Sequence, residues 1–531
     1  MAEFLQPALL IFNDAAFTEN DFGAIQKIGE GSKQTDLTKA GRFGLGFNAV
    51  YHLTDYPSFA SLDRIKFFDP HGTVFQQGGE GWWLENSEIQ EFLKLYRAGL
   101  PEGYCLENST VFRLPLRVKL QSNANSISKT IFDTEEIQNF RNELLNISEE
   151  ILLFLKSVDE IRVCEIVDQD VCELLRVTTK NKEEVFAERH KLTSLLRAHE
   201  TSSLSISYLQ EIETRNQEET FTSLWRVCNL IRSEEQDIKR GIALMAQCEE
   251  KAVPWAGVAA KIKTSKTSIK TDFFEGKAYC FLPLNFATDL PVHIHGFFDL
   301  DEARIDLTRK TDLADPKRNV RADWNFLLVK HVLSHAYANL IKSLVEDVGE
   351  QDPQRFYKFF PVRSSNPTLK DLPTFVIEQL QSHRVMRSAI AHPVMNEGQR
   401  QVVNSHWVKP TTIKVLPEGW DNLLVEPLRL EKIDLPDPPL PLAIESVFKD
   451  SGKPLATFQP SDLRSQLQTR QPLGMPLEKA PRACLRKKEW VIDLLKYCLS
   501  DRHRDVNGLP LAILADGTLQ SFGYIAIRND L

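Results

Sequence analysis

The sequence is poor in cysteine, and its cysteines are not arranged for a disulfide framework or a zinc finger. The eight cysteines of the 531-residue chain are scattered, with no C-x-x-C pair and no nearby histidine pattern. This arrangement predicts no metal ligands and indicates a reducing compartment. No apolar run reaches the roughly 18 residues of a membrane span, and the first residues lack the basic start and long apolar core of a signal peptide. We therefore expect a soluble, cytoplasmic protein without a membrane partner.

The chain also lacks a surplus of positive charge. Lys and Arg number 64 against 73 Asp and Glu, which gives a net charge of -9. A protein that binds nucleic acid through phosphate contacts needs a basic surface, so this balance argues against a nucleic-acid partner. Apolar residues at 42% and charged residues at 26% are ordinary for folded domains, and the length predicts three or four of them. The oligomeric state stays open.

Glycine is sparse, at 24 residues, yet three glycines fall within six positions of "GRFGLGFNAVYHLTD". Gly41, Gly44 and Gly46 have the spacing G-x-x-G-x-G. This reverses the dinucleotide fingerprint and lacks the Lys and Ser/Thr of a P-loop. Glycines before a helix are compatible with two interpretations, a tight turn and a loop whose backbone N–H groups hold phosphate.

The elements around this cluster alternate between strand and helix. A strand is predicted at Ala8–Phe12, a helix from Thr18 with Asp21 as the capping partner, and a polar loop at 29–40. "RIKFFDPHGTVFQ" predicts a hairpin with its turn at Asp69–Gly72, and "STVFRLPLRV" predicts a further strand. Later stretches predict a helix from Asp133, a helix from about Asp323 to Val345, and a hairpin at Asp516-Gly517. The order is typical of an α+β protein.

Several phrases in this order resemble the sacsin-repeat family of the GHKL superfamily, which includes the ninety-kilodalton heat-shock chaperones. They are "PALLIFNDAAFTENDF", "GRFGLGFNAVYHLTD", "FFDPHG", "TVFRLPLR", "FLPLNFATDLPVHIHGFF" and "DWNFLL". The resemblance runs from about residue 7 to 340. It implies a truncated Bergerat α/β sandwich, followed by an α/β middle domain and a small C-terminal α+β region.

The resemblance and the composition together divide the chain into five parts. Residues 1–125 are predicted as a GHKL-type nucleotide-binding domain lacking its first helix, and 126–345 as a chaperone-type middle domain. A helical or mixed region at 346–430 follows. Nine of the 27 prolines lie between Glu431 and Pro481, which predicts a proline-rich linker at 431–482. A helix and a hairpin are expected at 483–531.

In such a domain the cofactor is ATP or ADP. The resemblance implies that Asn13 or Asp14 accepts a hydrogen bond from the adenine amino group and that Thr110 lies beside the base. Asn-Asp at a strand end is also a common turn, and a strand threonine needs no such role. Lid and phosphate contacts are expected from Ser32, Lys33, Gly41, Arg42, Phe43, Gly44, Leu45, Gly46 and Phe47.

A catalytic arginine is implied in the middle domain. "GFFDLDEARIDLTRK" resembles the family segment whose arginine reaches the γ-phosphate, and Arg309 holds the matching place. There a positive charge stabilises the transition state. The alternative is a solvated charged face made by Arg304, Arg309 and Lys310.

Two functional residues of the family have no counterpart in this sequence. The family carries a water-activating Glu and a Mg²⁺-binding Asn on a helix before the first strand, whereas only about seven residues precede the strand here. Hydrolysis is therefore expected to be slow or absent, with Mg²⁺ bound only if that helix is supplied. Whether the chain is an ATPase stays open, as does the choice between an incomplete and a degenerate domain.

Two functions follow from this pattern. The first is a nucleotide-binding chaperone or co-chaperone module in protein folding or quality control, with client proteins or chaperones as partners. The second is a non-enzymatic interaction scaffold that keeps the Bergerat core as a structural frame. The glycine cluster favours the first, and the missing helix favours the second.

Overall fold

The chain forms two large β-sheets with their helices and a carboxy-terminal unit of helices and short strands. The computed structural model describes residues 2–25, 47–118, 128–167, 170–198, 203–265, 274–301, 305–310, 315–392, 402–468, 474–502 and 505–523. The predicted α+β class is confirmed. The Bergerat topology stays a prediction.

The amino-terminal unit is an antiparallel sheet of five strands. They are β1 (Ala8–Asn13), β2 (Ser58–Ser61), β3 (Arg64–Phe68), β4 (Gly79–Trp83) and β5 (Thr110–Pro115), in the order β1-β5-β2-β3-β4. Helix α2 (Gln90–Arg97) packs on one face, where Leu93 and Tyr96 join the buried core. The other face carries α1 (Glu19–Ala24) and a 3₁₀ turn at Phe47–His52. Thr18 and Asp21 form the predicted capping box of α1.

The hairpin predicted at Asp69–Gly72 is wrong, because β3 pairs instead with the later strand β4. Asp69 is fully buried, and its carboxylate accepts hydrogen bonds from the N–H of Phe75 at 2.9 Å, from the N–H of Val74 and from the Thr73 hydroxyl. Burial alone would raise the pKa of Asp69, but these hydrogen bonds outweigh it and lower the pKa. The backbone that would have formed the second strand is thus bound to this carboxylate.

The second unit is built on an eight-stranded sheet. Its strands are β6 (Glu160–Val167), β7 (Asp170–Thr179), β8 (Ser203–Asn216), β9 (Thr220–Arg232), β10 (Trp255–Thr264), β11 (Lys277–Cys280), β12 (Leu282–Ala287) and β13 (His293–Gly296). The order is β12-β11-β13-β10-β9-β8-β7-β6, with one parallel pair, β11 and β13.

Helices cover both faces of this sheet. They are α3 (Thr134–Ile151), α4 (Lys182–Ala198), α5 (Gln236–Gln247), α6 (Pro316–Leu328), α7 (Ser334–Leu344), α8 (Pro353–Tyr357) and α9 (Leu372–Leu380). Because side chains alternate along a strand, Val227 of β9 joins the core with α4, whereas its neighbour Cys228 joins the core with α5 to α9. Asp133 caps α3 as predicted, accepting from the N–H of Glu135 and Glu136 at 3.0 Å.

The long helix predicted from about Asp323 to Val345 is confirmed, although it begins earlier. Asp315 caps α6, and Pro316 holds the first helical position, which suits a residue without an N–H. One turn of π-helix, Val329–Leu333, joins α6 to α7, and another, Val345–Gly349, follows α7. No helix among the described residues has both the length and the apolar composition to cross a membrane.

The remaining elements form the carboxy-terminal unit and its connection. They are β14 (Met386–His392), β15 (Val402–Val408), β16 (Lys414–Val415), α10 (Asp421–Leu430), α11 (Leu442–Asp450), β17 (Ala456–Thr457), α12 (Pro460–Leu467), β18 (Gly474–Pro476), α13 (Lys488–Cys498), β19 (Ala512–Ile513) and β20 (Thr518–Gln520). The predicted Asp516-Gly517 hairpin is confirmed. Gly517 adopts φ +80°, a conformation that favours glycine.

The proline-rich segment 431–482 is not an extended linker over its described residues. It contains α11 and α12, and Phe448 and Leu463 are fully buried. Its prolines begin helices instead of preventing them, since Pro441 precedes α11 and Pro460 opens α12. A high proline count therefore reflects several helix starts here.

Candidate functional site

Four polar side chains share one row of the five-stranded sheet. Asn13 of β1 lies opposite Thr110 of β5, Thr110 lies opposite Ser61 of β2, and Ser61 lies opposite Arg64 of β3. Residues directly opposite one another in an antiparallel sheet point to the same face. This is the face that carries α1 and the Phe47–His52 turn. We call these four residues, Asn13, Thr110, Ser61 and Arg64, the polar row.

The two central hydroxyls of the polar row are buried and hydrogen-bonded. Thr110 Oγ1 donates to the carbonyl oxygen of Ala15 at 2.7 Å and lies 2.8 Å from Ser61 Oγ. Ser61 Oγ accepts from the N–H of Phe17 at 2.9 Å and lies 2.9 Å from the carbonyl oxygen of Ser109. These contacts hold the segment after β1 against the sheet.

The outer end of the row, at Asn13, is exposed. Asn13 Oδ1 accepts a hydrogen bond from the N–H of Ala15 at 2.7 Å, the side-chain-to-backbone turn that the sequence offered as its alternative role. A carboxamide oxygen has a second lone pair, so this bond leaves one acceptor position on Oδ1. Asp14 is exposed beside it. Both predicted adenine contacts thus lie at the surface end of the row.

The other end of the row, at Arg64, is a charged cluster. The guanidinium pairs with Glu19 of α1 at 2.6 Å and with Asp63 at 2.9 Å. It also lies over two rings, 4.5 Å from the centroid of Phe22 and 4.8 Å from that of Trp83. The hydrogen bonds that Arg64 donates to Asp63 and Glu19 raise its pKa. Arg64 therefore fastens α1 to the sheet.

Aromatic rings line the sheet next to the polar row. Phe112 of β5 lies opposite Phe59 of β2 on one side and Ile11 of β1 on the other. The Phe59 and Phe112 centroids are 5.4 Å apart, and the Phe47 ring lies 6.1 Å from Phe112. Ile11 is 44% exposed. An open apolar surface therefore borders the exposed end of the polar row.

The predicted lid and glycine cluster fall within residues 26–46. Ser32, Lys33, Gly41, Arg42, Phe43, Gly44, Leu45 and Gly46 lie outside the described residues. The described residues on either side of this segment approach the same sheet face. Phe22 of α1 stacks on Phe59 with centroids 5.7 Å apart, and Phe47 lies 5.1 Å from Phe68. The chain thus leaves and re-enters the described structure beside the polar row.

A buried ion pair fixes the turn that follows this segment. Arg117 Nη2 donates to Asp55 Oδ1 at 2.7 Å, and the two side chains are 1% and 4% exposed. Arg117 also donates to the carbonyl oxygens of Tyr51, His52 and Thr130. Asp55 ends the glycine-cluster phrase and Arg117 ends "TVFRLPLR", so this pair joins two of the motifs found in the sequence.

Arg309 lies in the second unit. It forms an ion pair with Asp306, and its carbonyl oxygen accepts from Arg318 Nε at 3.2 Å. The contacts described for Arg309 are all local, so its role as a catalytic arginine stays a prediction. Lys310 pairs with Asp323 at 2.6 Å, and Arg304 lies outside the described residues.

The backbone just before Arg309 is held by a buried polar cluster. Asp299 is fully buried and accepts from Thr308 Oγ1 and from Arg321 Nε, both at 2.7 Å. Asn325 Nδ2 donates to the carbonyl oxygens of Asp299 at 2.8 Å and Thr308 at 3.2 Å. The phrases "GFFDL" and "DWNFLL" supply Asp299 and Asn325, so these motifs have a structural role in placing this segment.

The sequence predicted Asn13, Phe47 and Thr110 from separate motifs, and the structure brings these three to one face, while Asp14 is exposed at the end of β1. The sequence-based prediction did not include Ser61 and Arg64, because their place in the polar row depends on strand register. The pairing of Asp55 with Arg117 could not be predicted from the sequence either. A Ser or Arg in a short strand carries no local signal of what lies opposite.

Comparison with known proteins identifies the class of domain that this unit resembles. The family model described as "Sacsin domain" matches residues 1–177, which include the five-stranded sheet and the polar row. Over its whole length the chain is also similar to Sacsin of Homo sapiens, with 27% identity across 580 aligned residues. The chain spans 12% of the length of that relative.

Proposed function

We propose that the chain is a sacsin-like nucleotide-binding module of the heat shock protein 90 type that acts in protein folding or quality control in the cytoplasm. The observation that carries the proposal is the polar row. Asn13 and Thr110, which the resemblance assigns to the adenine, are direct partners in adjacent strands. Phe22 and Phe47, which flank the segment with the glycine cluster in the sequence, both contact their face of the sheet.

The exposed end of the row suits an adenine base. The free acceptor position on Asn13 Oδ1 matches the amino group of adenine, which is a hydrogen-bond donor. Beside it, the half-buried ring of Phe112 and the exposed side chain of Ile11 provide an apolar surface for the flat base. Thr110 contributes by fixing the segment after β1, since its own hydroxyl hydrogen is donated to Ala15.

The proposal assigns binding, and no hydrolytic step, to the described residues. The nearby carboxylates whose contacts are described already have partners. Asp55 pairs with Arg117, Asp69 accepts backbone N–H bonds, and Glu19 pairs with Arg64. A carboxylate that acts as a general base must be able to take a proton from water, and these three are committed to other contacts.

Titration calorimetry with ADP, and with ATP plus Mg²⁺, tests the proposal. We expect saturable binding at one site per chain and a Kd about two- to tenfold weaker in Asn13→Ala, since one directional hydrogen bond is lost. Gly44→Asp should weaken binding further, because it places a negative charge where the resemblance puts phosphate.

Asn86→Ala is the matched control. Asn86 makes the same kind of side-chain bond, from the N–H of Glu88 at 2.8 Å, but it lies at the turn before α2. It should bind nucleotide like the unmodified chain. Absence of heat with both nucleotides, or equal weakening in Asn13→Ala and Asn86→Ala, would contradict the proposal.

One observation favours the scaffold as a second candidate. The Thr110 and Ser61 hydroxyls are satisfied within the protein, so the centre of the row already acts as a structural tie. A thermal-shift series separates the two functions. A nucleotide that binds only the native state raises the melting temperature with concentration, whereas a scaffold shows no shift.

A further inference from the structure

A cluster of mixed nitrogen and oxygen ligands lies in the second unit, far along the chain from the polar row. Glu235 precedes α5, Asp237 lies in its first turn, and His331 lies in the π-helical turn Val329–Leu333. One potential ligand atom from each of the three residues lies within 4.8 Å of the other two. Carboxylate oxygen and imidazole nitrogen are common ligands of zinc.

The distances approach those around a single ion. His331 Nε2 is 3.3 Å from Asp237 Oδ2. Two ligand atoms at tetrahedral positions around Zn²⁺ are roughly 3.4 Å apart, since each lies about 2.1 Å from the metal. The third ligand atom lies within 4.8 Å of these two. The cluster therefore has the size of a three-ligand zinc site.

The imidazole distinguishes this cluster from an ordinary group of surface acids. His331 Nε2 is buried, and it makes no hydrogen bond to the described residues, although an Asp237 oxygen lies 3.3 Å away. The side chain of His331 is 14% exposed, whereas that of Asp237 is 55% exposed. A buried nitrogen close to a carboxylate, without the alignment of a hydrogen bond, is the arrangement of two ligands that face a common ion.

Arg232, which is not one of the three candidate ligands, positions two of them through hydrogen bonds. Its Nη2 donates to Glu235 Oε2 at 3.1 Å, and its Nη1 donates to the carbonyl oxygen of His331 at 3.2 Å. Partners of this kind orient metal ligands in known sites. His335 contacts Arg232 through Nε2, so this nitrogen is turned away from the ligand set.

We infer that Glu235, Asp237 and His331 bind a divalent cation of the zinc class and connect the start of α5 to the π-helical turn between α6 and α7. The imidazole selects Zn²⁺ over Mg²⁺ and Ca²⁺, which prefer oxygen ligands. Three protein ligands leave room for water or a further ligand as the fourth. The site is independent of nucleotide binding.

Zinc titration of the full chain, after removal of metals and blocking of cysteines with N-ethylmaleimide, tests the inference. A chromogenic chelator competes for ZnCl₂ and reports the affinity. We expect one equivalent of Zn²⁺ per chain, and Asp237→Asn should weaken it at least about tenfold, because loss of an outer partner alone costs that much in known sites. His331→Gln should weaken it similarly.

Glu234→Gln is the matched control, since it removes an exposed carboxylate next to Glu235 that lies outside the cluster. It should bind zinc like the unmodified chain. Asp237 is exposed, so Asp237→Asn keeps the test valid if His331→Gln fails to fold. Equal zinc affinity in the unmodified chain and Asp237→Asn, no zinc binding at all, or equal competition by Mg²⁺ would overturn the inference.

Discussion

In the amino-terminal unit Asp55 pairs with Arg117 and both side chains are almost fully buried, whereas in the eight-stranded unit Glu150 contacts both His293 and Lys277. Glu150 Oε2 lies 3.1 Å from both His293 Nε2 and Lys277 Nζ. His293 Nδ1 accepts from the N–H of Lys277, so Nε2 carries the proton directed at Glu150. The two units thus stabilise a carboxylate in two different ways, one with a single buried arginine and the other with a histidine and a lysine.

The difference lies in what each pair holds together. Arg117 binds the Asp55 carboxylate and three carbonyl oxygens, so it fixes a turn and two segment ends at once. Glu150 ties the end of α3 to β11 and β13 through Lys277 and His293. The first contact is a permanent tie, and the second depends on protonation.

The largest expected effect is from Asp55→Ala. It leaves the Arg117 charge buried without its partner, which costs about 3–5 kcal/mol. Urea unfolding, followed by hydrogen–deuterium exchange of peptides from β2 and β5, measures this loss. Glu91→Ala breaks the exposed pair with Lys94 and should change stability by less than about 1 kcal/mol. Equal effects of the two changes would show that the buried pair is not a tie.

The next effect is a pH dependence in the second unit. Burial alone would raise the pKa of Glu150, but its contacts with His293 and Lys277 outweigh this effect and lower the pKa to about 2. A lowered folded-state pKa contributes stability above the ordinary value of 4.5, and this contribution is lost as the pH falls from 4.5 towards 2. The stability difference between the unmodified chain and Glu150→Gln should therefore shrink over this range. Parallel pH profiles would contradict the pairing.

The smallest effect compares two buried threonines, one in each sheet. Thr110→Val removes the donor to Ala15 and should cost about 1–2 kcal/mol. Thr214 of β8 is 1% exposed, and its hydroxyl makes no hydrogen bond to the described residues, so Thr214→Val should be neutral or stabilising. Melting temperatures of the two variants measure the contrast. A larger loss in Thr214→Val would contradict the structural role of the polar row.

Local signals in the sequence predicted much of this fold. The capping residues Thr18 and Asp133, the long helix before Val345 and the turn at Asp516-Gly517 depend on neighbouring residues, and all four are confirmed. The hairpin predicted at Asp69–Gly72 failed because a tertiary contact outweighed the local pattern. The Asp69 carboxylate accepts hydrogen bonds from the backbone that the apolar pattern had predicted to form a strand.

The candidate site was predictable only in part, for the same reason. Asn13 and Thr110 came from motifs, but Ser61 and Arg64 acquire their place from strand register, which one sequence does not reveal. The zinc-class cluster could not be predicted, because four strands and helix α6 separate Glu235 and Asp237 from His331 in the sequence. The role of the glycine cluster in residues 26–46 as a phosphate-binding loop stays a prediction.

Photolabelling with 2-azido-ADP tests the central claim most directly, because the reactive group sits on the adenine itself. The labelled chain is digested, and the modified peptides are mapped by mass spectrometry. We predict labels on peptides that contain Asn13 or Phe112, suppressed by excess ADP and reduced in Asn13→Ala. Labels confined to other parts of the chain, or labels that excess ADP leaves unchanged, would contradict the assignment of an adenine site to the polar row.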